Sequence, residues 1–145
     1  MRSFRKVKIL EKQNVAASRA LSNIKILTVE DHPDTRAFLK MFLERSGADV
    51  VAVASGSAAL AVIQSHKFDV VLCDIGMPGM DGYQLLQKIR DLEPEIGCQL
   101  AIACTAYSTS SDVARAHRAG FRAHVAKPVD PAELVNTVLK VVSDP

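Results

Sequence analysis

One short segment, DVVLCD at residues 69–74, constrains the fold more than any other part of the sequence. Its apolar residues stand at successive positions instead of alternating with polar ones, which predicts a strand that is buried on both faces. Such strands occur in parallel sheets, where crossover helices cover both sides. The strand ends in a carboxylate, Asp74, and three glycines and a proline follow it within eight residues.

Five segments of this kind alternate with helical patterns along the chain. Strands are predicted at 24–29, 49–54, 69–74, 99–106 and 122–127. Helices are predicted from Pro33 to Gly47, from a cap at Ser57 to about Gln64, from a cap at Asp81 to Pro94, over 111–119, and from a cap at Asp130 onward. Connections this short predict an α/β fold with a doubly wound parallel sheet.

The first helix is predicted from a spacing pattern. Phe38, Met41, Phe42 and Arg45 stand at positions i, i+3, i+4 and i+7. Residues at this spacing share one side of a helix. The pattern therefore predicts a helix that begins at Pro33.

The length and composition fit one globular domain. The chain has 145 residues, of which 48% are hydrophobic, enough for a substantial core. Residues 1–23 carry six Lys or Arg and a single acid, Glu11, and we interpret them as a flexible basic tail or linker ahead of a domain at 24–145. The remaining residues carry twelve Lys or Arg against fifteen acids, which argues against a nucleic-acid surface.

The cysteines and apolar runs bear on location. Cys73, Cys98 and Cys104 show no spacing typical of a zinc site or a disulfide framework. We expect Cys73 and Cys104 to project together from the sheet face opposite Asp74 and to stay reduced. No apolar stretch approaches the roughly 20 residues that cross a bilayer, and no secretory signal is evident. The sequence therefore predicts a cytoplasmic protein that does not act at a membrane.

Polar side chains stand at the carboxyl ends of the predicted strands, where open α/β sheets bind ligands. They are Glu30 and Asp31 after the first strand, Asp74 after the third, Thr105 after the fourth and Lys127 after the fifth. If the first and third strands are neighbours, three carboxylates share one small space and repel each other unless a cation lies among them. Oxygen ligands favour Mg²⁺ or Mn²⁺ over zinc.

Such a site is suited to phosphoryl transfer. Three carboxylates, one divalent ion and Lys127 carry almost no net charge together, so the site can accept a phosphoryl group. A carboxylate can act as the nucleophile and become an acyl phosphate, while the Lys127 ammonium and the Thr105 hydroxyl stabilise the phosphoryl oxygens. Asp74 is the best candidate nucleophile, because the glycines after it allow a tight turn and close approach.

Four segments resemble the motifs of response-regulator receiver domains. They are VEDHPDTR at 29–36, VVLCDIGMPGMDG at 70–82, CTA at 104–106 and VAKP at 125–128, and the resemblance spans residues 24–142. It implies a flavodoxin-like (βα)₅ fold with strand order 2-1-3-4-5. It also implies two-component or phosphorelay signalling, in which Asp74 accepts a phosphoryl group from a histidine kinase or a histidine phosphotransfer protein.

The resemblance further implies a role for each site residue. Mg²⁺ would bind Asp31, Asp74 and the main-chain carbonyl of Gly76, and Glu30 would complete the acidic pocket.

On the phosphoryl side, Lys127 would contact the phosphoryl group, Thr105 would be the hydroxyl that moves toward it, and the bond before Pro128 would be cis. Two positions depart from the commonest family pattern. His124 stands where a switch aromatic is usual and would make switching sensitive to pH, and Gly76 offers no side chain to shield the phosphoryl group.

The same resemblance implies a signalling domain that promotes only its own phosphorylation and dephosphorylation. A downstream protein would bind the face formed by the fourth helix, the fifth strand and the fifth helix. We expect a monomer or weak dimer that is either a single-domain regulator or a receiver from a larger protein, such as a hybrid histidine kinase.

Two alternative functions use similar residues. A haloacid-dehalogenase-like aspartyl phosphatase places a D-x-D motif after its first strand, whereas here the acids come first and Gly76 replaces the second aspartate. A docking module that works without phosphorylation would have lost an acid, Thr105 or Lys127, and all are present.

Overall fold

Five strands alternate with five helices in the computed structural model, which describes residues 19–96, 99–106 and 109–143. The strands are β1 (Lys25–Val29), β2 (Asp49–Val53), β3 (Val70–Asp74), β4 (Leu100–Thr105) and β5 (Ala123–Ala126). The helices are α1 (Pro33–Arg45), α2 (Gly56–Ile63), α3 (Gly82–Ile96), α4 (Ser110–Ala119) and α5 (Pro131–Ser143). All strands pair in parallel in the order β2-β1-β3-β4-β5, which confirms the predicted fold class and strand order.

Each face of the sheet packs against its own helices. Helices α1 and α5 cover one face, and α2, α3 and α4 cover the other. Strand β3 is buried at every position, as its successive apolar residues predict. None of the helices in the described ranges is long and apolar enough to span a membrane.

The packed unit includes part of the segment predicted to be a tail. Residues 1–18 of that segment lie outside the described residues. Leu21 is fully buried in the core under α1 and α5, and its amide donates to the carbonyl of Ser46 at 2.8 Å. Packing therefore begins before Ile24, where we place the start of the domain from sequence.

Helix α1 is present where the spacing pattern predicts it, and it packs against the sheet through its leucines. Leu39 and Leu43 are buried, whereas Phe38 and Met41 are 38% and 44% exposed. Phe42 is partly buried against the same core. Two stripes at helical spacing overlap in this helix, and the sheet packs against the one that contains the leucines.

Cys73 and Cys104 lie on opposite faces of the sheet, so the prediction that they project together is wrong. The register pairs Cys73 with Ala103 and Asp74 with Cys104. Because strand side chains alternate, this offset of one residue sends the two thiols into different cores. Burial raises the pKa of Cys104 to about 12, so it is protonated at neutral pH.

The start of α2 and the end of α3 also differ from prediction. The cap of α2 is Ser55, whose hydroxyl accepts a hydrogen bond from the Ala58 amide at 3.2 Å, and not Ser57. Helix α3 continues past Pro94 to Ile96.

The other predicted caps are present. Asp81 accepts from the Gln84 amide at 2.8 Å and the Gln84 side chain accepts from the Asp81 amide at 3.0 Å, which together form a capping box. Asp130 accepts from the Ala132 amide at 3.1 Å at the start of α5. Helix α4 begins one residue before the predicted start, with Thr109 as its cap.

Gly82 starts α3 against the backbone that carries Asp74. A Cβ atom at position 82 would lie 2.8 Å from the Cα of Ile75 and 2.9 Å from the Asp74 carbonyl oxygen. We predict that Gly82→Ala lowers the free energy of unfolding by about 1–3 kcal/mol, because backbone atoms must shift. Urea unfolding measures this change.

The matched control for this prediction is Gly76→Ala. A Cβ atom there would meet only Asp74 Oδ1, at 3.9 Å. Its effect on the free energy of unfolding should be about 1 kcal/mol or less. Equal losses in the two variants would contradict the steric argument.

Candidate functional site

Three carboxylates meet at the carboxyl ends of β1 and β3. The two strands are neighbours, with Val29 paired to Cys73, so the residues that follow them lie side by side. Ligand oxygens of Glu30, Asp31 and Asp74 all lie within 4.8 Å of one another. The structure thus brings together the three acids that the sequence placed at the strand ends.

Asp74 is held from two sides. Its Oδ1 accepts a hydrogen bond from the Gly76 amide at 3.0 Å, and its Oδ2 lies 3.2 Å from Lys127 Nζ. The side chain is only 8% exposed. The tight turn after β3 therefore fixes the orientation of the carboxylate before any ligand binds.

Lys127 joins two of the acids. Its Nζ donates to Glu30 Oε2 at 2.9 Å and also lies beside Asp74, and its backbone amide donates to the Thr105 carbonyl at 2.9 Å. The Lys127–Pro128 peptide bond is cis, as the resemblance implies. The ends of β3, β4 and β5 are thus tied together at the acidic cluster.

The charges at this cluster are not balanced. Burial raises the pKa of Glu30 and the Asp74 carboxylate raises it further, while the hydrogen bond from Lys127 opposes both without cancelling them. Burial by itself would lower the pKa of Lys127, but its contacts with Glu30 and Asp74 outweigh that effect and raise it. Lys127 is therefore cationic at neutral pH, and one ammonium faces more negative charge than it can neutralise.

The donor set suits a hard divalent cation. All three side chains supply carboxylate oxygens, which Mg²⁺ prefers to nitrogen or sulfur ligands. Burial is the main cause of the raised pKa of Glu30, and repulsion from the Asp74 carboxylate adds to it. A cation bound between the two carboxylates would relieve that repulsion. The residues present therefore fit Mg²⁺.

Sequence reasoning missed Arg36, which supports the acidic loop. Its guanidinium donates to the backbone carbonyls of Glu30 at 3.0 Å and Asp31 at 3.3 Å from the first turns of α1. The Asp31 side chain remains exposed. The only available signal was an arginine close behind an acidic pair, and the partners of Arg36 are main-chain oxygens, which every residue has.

The two predicted switch residues occupy different places. Thr105 ends β4 and is buried next to the loop that follows β3, where it lines a cleft together with Gly76. His124 lies on β5 opposite Ala103 and faces a groove lined by Val113 and His117 of α4. Its Nε2 is buried without a hydrogen-bond partner among the described residues.

The raised pKa of Glu30 predicts a pH dependence of stability. The folded protein holds this proton more tightly than the unfolded chain, so the metal-free protein should lose stability as the pH rises from the unfolded value of about 4.3 toward the folded one. Glu30→Gln cannot titrate and should flatten this part of the profile. Thermal unfolding in EDTA from about pH 4 to 7 tests it.

Glu44→Gln provides the matched control, because Glu44 is an exposed carboxylate on α1. This variant should keep the wild-type pH profile. A Glu30→Gln profile that follows the wild type across the same pH range would show that burial of Glu30 has no energetic consequence.

Comparison with known proteins identifies relatives of this chain. A family model described as the response regulator receiver domain matches residues 26–139. An uncharacterized 14.6 kDa protein of Leptolyngbya boryana is 38% identical over 120 residues, which cover 83% of this chain and 91% of that protein. The sensor histidine kinase GacS of Pseudomonas protegens is 37% identical over 132 residues, which cover 90% of this chain but only 14% of the kinase.

Two solved structures share the fold over most of the chain. The receiver domain of the sensor histidine kinase PA1611 of Pseudomonas aeruginosa, with a magnesium ion coordinated in its active-site cleft, is 29% identical with a TM-score of 0.75, covering 85% of this chain and 100% of that one. The receiver domain of the Arabidopsis thaliana histidine kinase CKI1, complexed with Mg²⁺ and BeF₃⁻, is 26% identical with a TM-score of 0.78, covering 88% and 95%. This chain belongs to the response regulator receiver domains of two-component signalling systems.

Proposed function

We propose that this receiver domain accepts a phosphoryl group on Asp74 from a phosphohistidine, and that the modification switches a surface that binds a partner protein. The donor would be a histidine kinase or a histidine phosphotransfer protein. One observation carries the proposal: Asp74 Oδ2 lies 3.2 Å from Lys127 Nζ, within a cluster that also holds Glu30 and Asp31.

Glu30, Asp31 and Asp74, together with the main-chain carbonyl of Gly76, would hold Mg²⁺. Mn²⁺ accepts the same oxygen ligands. When bound, the cation supplies positive charge next to the phosphoryl oxygens. The proposal is supported by the oxygen-only donor set and by the magnesium ion in the cleft of the PA1611 receiver domain.

The side chains of this chain have distinct parts in the transfer. An oxygen of Asp74 attacks phosphorus, the P–N bond of the donor breaks, and its electron pair returns to the donor imidazole. Lys127 stabilises the negative charge on the phosphoryl oxygens, and the Thr105 hydroxyl moves to donate a hydrogen bond to one of them. The hydrogen bond from the Gly76 amide orients the Asp74 carboxylate for the attack.

No separate substrate is turned over in this scheme. The domain promotes only its own phosphorylation and the later loss of the phosphoryl group. An aspartyl phosphatase of the haloacid-dehalogenase type is not favoured, because the acids, Thr105 and Lys127 follow the receiver order along the chain.

The partner surface would be formed by α4, β5 and α5. Strand β5 is at the edge of the sheet, and Arg122, Ala123 and His124 line both a groove of about 370 Å³ toward α4 and one of about 320 Å³ toward α5. Among the residues of α4 only Ala116 is buried, which is typical of an element with low local stability. We further propose a cytoplasmic location and a monomer or weak dimer. The domain would be either a single-domain regulator or the receiver of a larger protein, such as a hybrid histidine kinase.

The identity of the acceptor can be tested with acetyl phosphate. With Mg²⁺, the wild type should gain the mass of one phosphoryl group, and Asp74→Asn should gain none because an amide oxygen is a poor nucleophile. EDTA should suppress the wild-type reaction. Intact-mass spectrometry measures all three samples.

Asp81→Asn is the matched control for this experiment. It makes the same chemical change in the same loop, at a residue that caps α3, and it should be phosphorylated like the wild type. Phosphorylation of Asp74→Asn to the wild-type extent would place the acceptor elsewhere. An unmodified wild type would favour a docking module that works without phosphorylation.

The location of the switching surface predicts a pattern of hydrogen exchange. On phosphorylation, amides of α4 and β5 should change their exchange rates, because these elements flank the groove that contains His124. Amides of α2, at the opposite end of the sheet, should not change. Identical exchange in α4 and β5 before and after phosphorylation would rule out this surface.

A further inference from the structure

The cleft that Gly76 and Thr105 line lies beside Asp74, between the loop after β3 and helix α4. It has a volume of about 180 Å³, and its walls include Gly76, Thr105, Asp112 and Arg115. Gly76 leaves the cleft open, because even a Cβ atom there would have only Asp74 Oδ1 near it, at 3.9 Å. The cleft therefore comes close to the Asp74 carboxylate at Gly76, and an arginine is part of its wall.

Arg115 rests on an aromatic ring at the wall of this cleft. Its Cζ lies 4.1 Å from the centroid of the Tyr83 ring, which makes a cation–π contact. Tyr83 in turn meets the ring of Phe121 edge-to-face, with centroids 6.1 Å apart, and Phe121 is buried in the core. The ring is thus anchored, while the arginine side chain above it is exposed.

The guanidinium of Arg115 has no polar partner among the residues that the structure describes. Two acids line the same cleft, but both are engaged in capping boxes. Asp81 accepts a hydrogen bond from the Gln84 amide, and Asp112 accepts one from the Thr109 amide. Within the described ranges, no hydrogen bond or salt bridge engages the side chain of Arg115. Its donors are therefore available to an anion that enters the cleft.

We propose that Arg115 is a phosphoryl-binding residue, which leaves the Tyr83 ring and donates to the phosphoryl oxygens once Asp74 is modified. This inference rests on the proposed phosphorylation of Asp74. A phosphoryl group brings between one and two negative charges to the mouth of the cleft at neutral pH. Paired, charge-assisted hydrogen bonds from a guanidinium are stronger than an exposed contact with a ring, so the exchange is favourable.

The position of Arg115 gives this exchange a consequence beyond the site. Arg115 belongs to α4, which has few buried contacts. Its movement toward Asp74 would therefore displace this helix. The arginine would thus connect the phosphoryl group to the proposed partner surface in parallel with Thr105. Tyr83 remains fixed by Phe121 and serves as the resting place of the guanidinium in the unmodified protein.

The test is a titration of the Mg²⁺-loaded protein with beryllofluoride, a mimic of the phosphoryl group. Arg115→Gln should raise the half-saturating concentration on the order of tenfold, and Arg115→Lys by less, because lysine keeps the charge but not the fork of donors. Arg118→Gln is the matched control: it removes the same charge from the same helix outside the cleft, and it should stay within about twofold of the wild type. Magnesium affinity is measured separately for each variant.

Tyrosine fluorescence supplies a second readout that a merely structural role would not change. The chain has two tyrosines and no tryptophan, so a Tyr107→Phe background leaves Tyr83 as the single emitter. Beryllofluoride should change the emission of Tyr83 when Arg115 leaves its ring. In Arg115→Gln the emission should already differ before addition and respond little to it.

Three results would overturn the role of Arg115: equal beryllofluoride affinities in wild type and Arg115→Gln, an equal loss in Arg118→Gln, or unchanged Tyr83 emission in the wild type. Mass spectrometry after acetyl phosphate treatment separates this failure from that of the proposed function. Phosphate on Asp74 in all variants would then reject Arg115 alone. No phosphate on the wild type would reject the proposed function itself.

Discussion

The site at the carboxyl edge of the sheet depends on repulsion among three carboxylates at neighbouring strand ends. Glu30 is 1% exposed and Asp74 is 7% exposed, and both approach the same Lys127 ammonium. Collecting buried acids in this way does not favour folding, because loss of hydration opposes the attraction to a single cation. The arrangement is consistent with selection for function, since the excess negative charge prepares the site for a divalent ion and a phosphoryl group.

The sequence identified the strands well because a strand buried on both faces has an apolar residue at almost every position, as in β3. It was less informative where only side-chain direction matters. The stripe that contains Phe38 and the one that contains Leu39 both have helical spacing, and only packing against the sheet distinguishes them. Likewise, adjacency of β3 and β4 could be expected, but the one-residue offset that separates Cys73 from Cys104 could not.

The residues of the site likewise fall into those that a sequence pattern reveals and those that it does not. Acids, a hydroxyl and a lysine at strand ends could be found because the carboxyl edge of a parallel sheet is where such residues converge. Arg36 and Arg115 could not be found in this way. Arg36 contacts main-chain carbonyls, and Arg115 contacts the ring of Tyr83. Neither kind of partner leaves a pattern in the spacing of charged residues.

The close packing of Gly82 has a mechanical consequence for signalling. The amide of Gly82 donates to the Ile75 carbonyl at 3.0 Å, and Leu85, Leu86 and Ile89 fix the following helix in the core. On the other side of Asp74, α4 has a single buried residue. The pocket around Asp74 therefore has one tightly packed wall and one loosely packed wall. In the proposed phosphorylated state, strain around Asp74 would relax toward the loosely packed wall, so the packing alone would set the direction of the displacement.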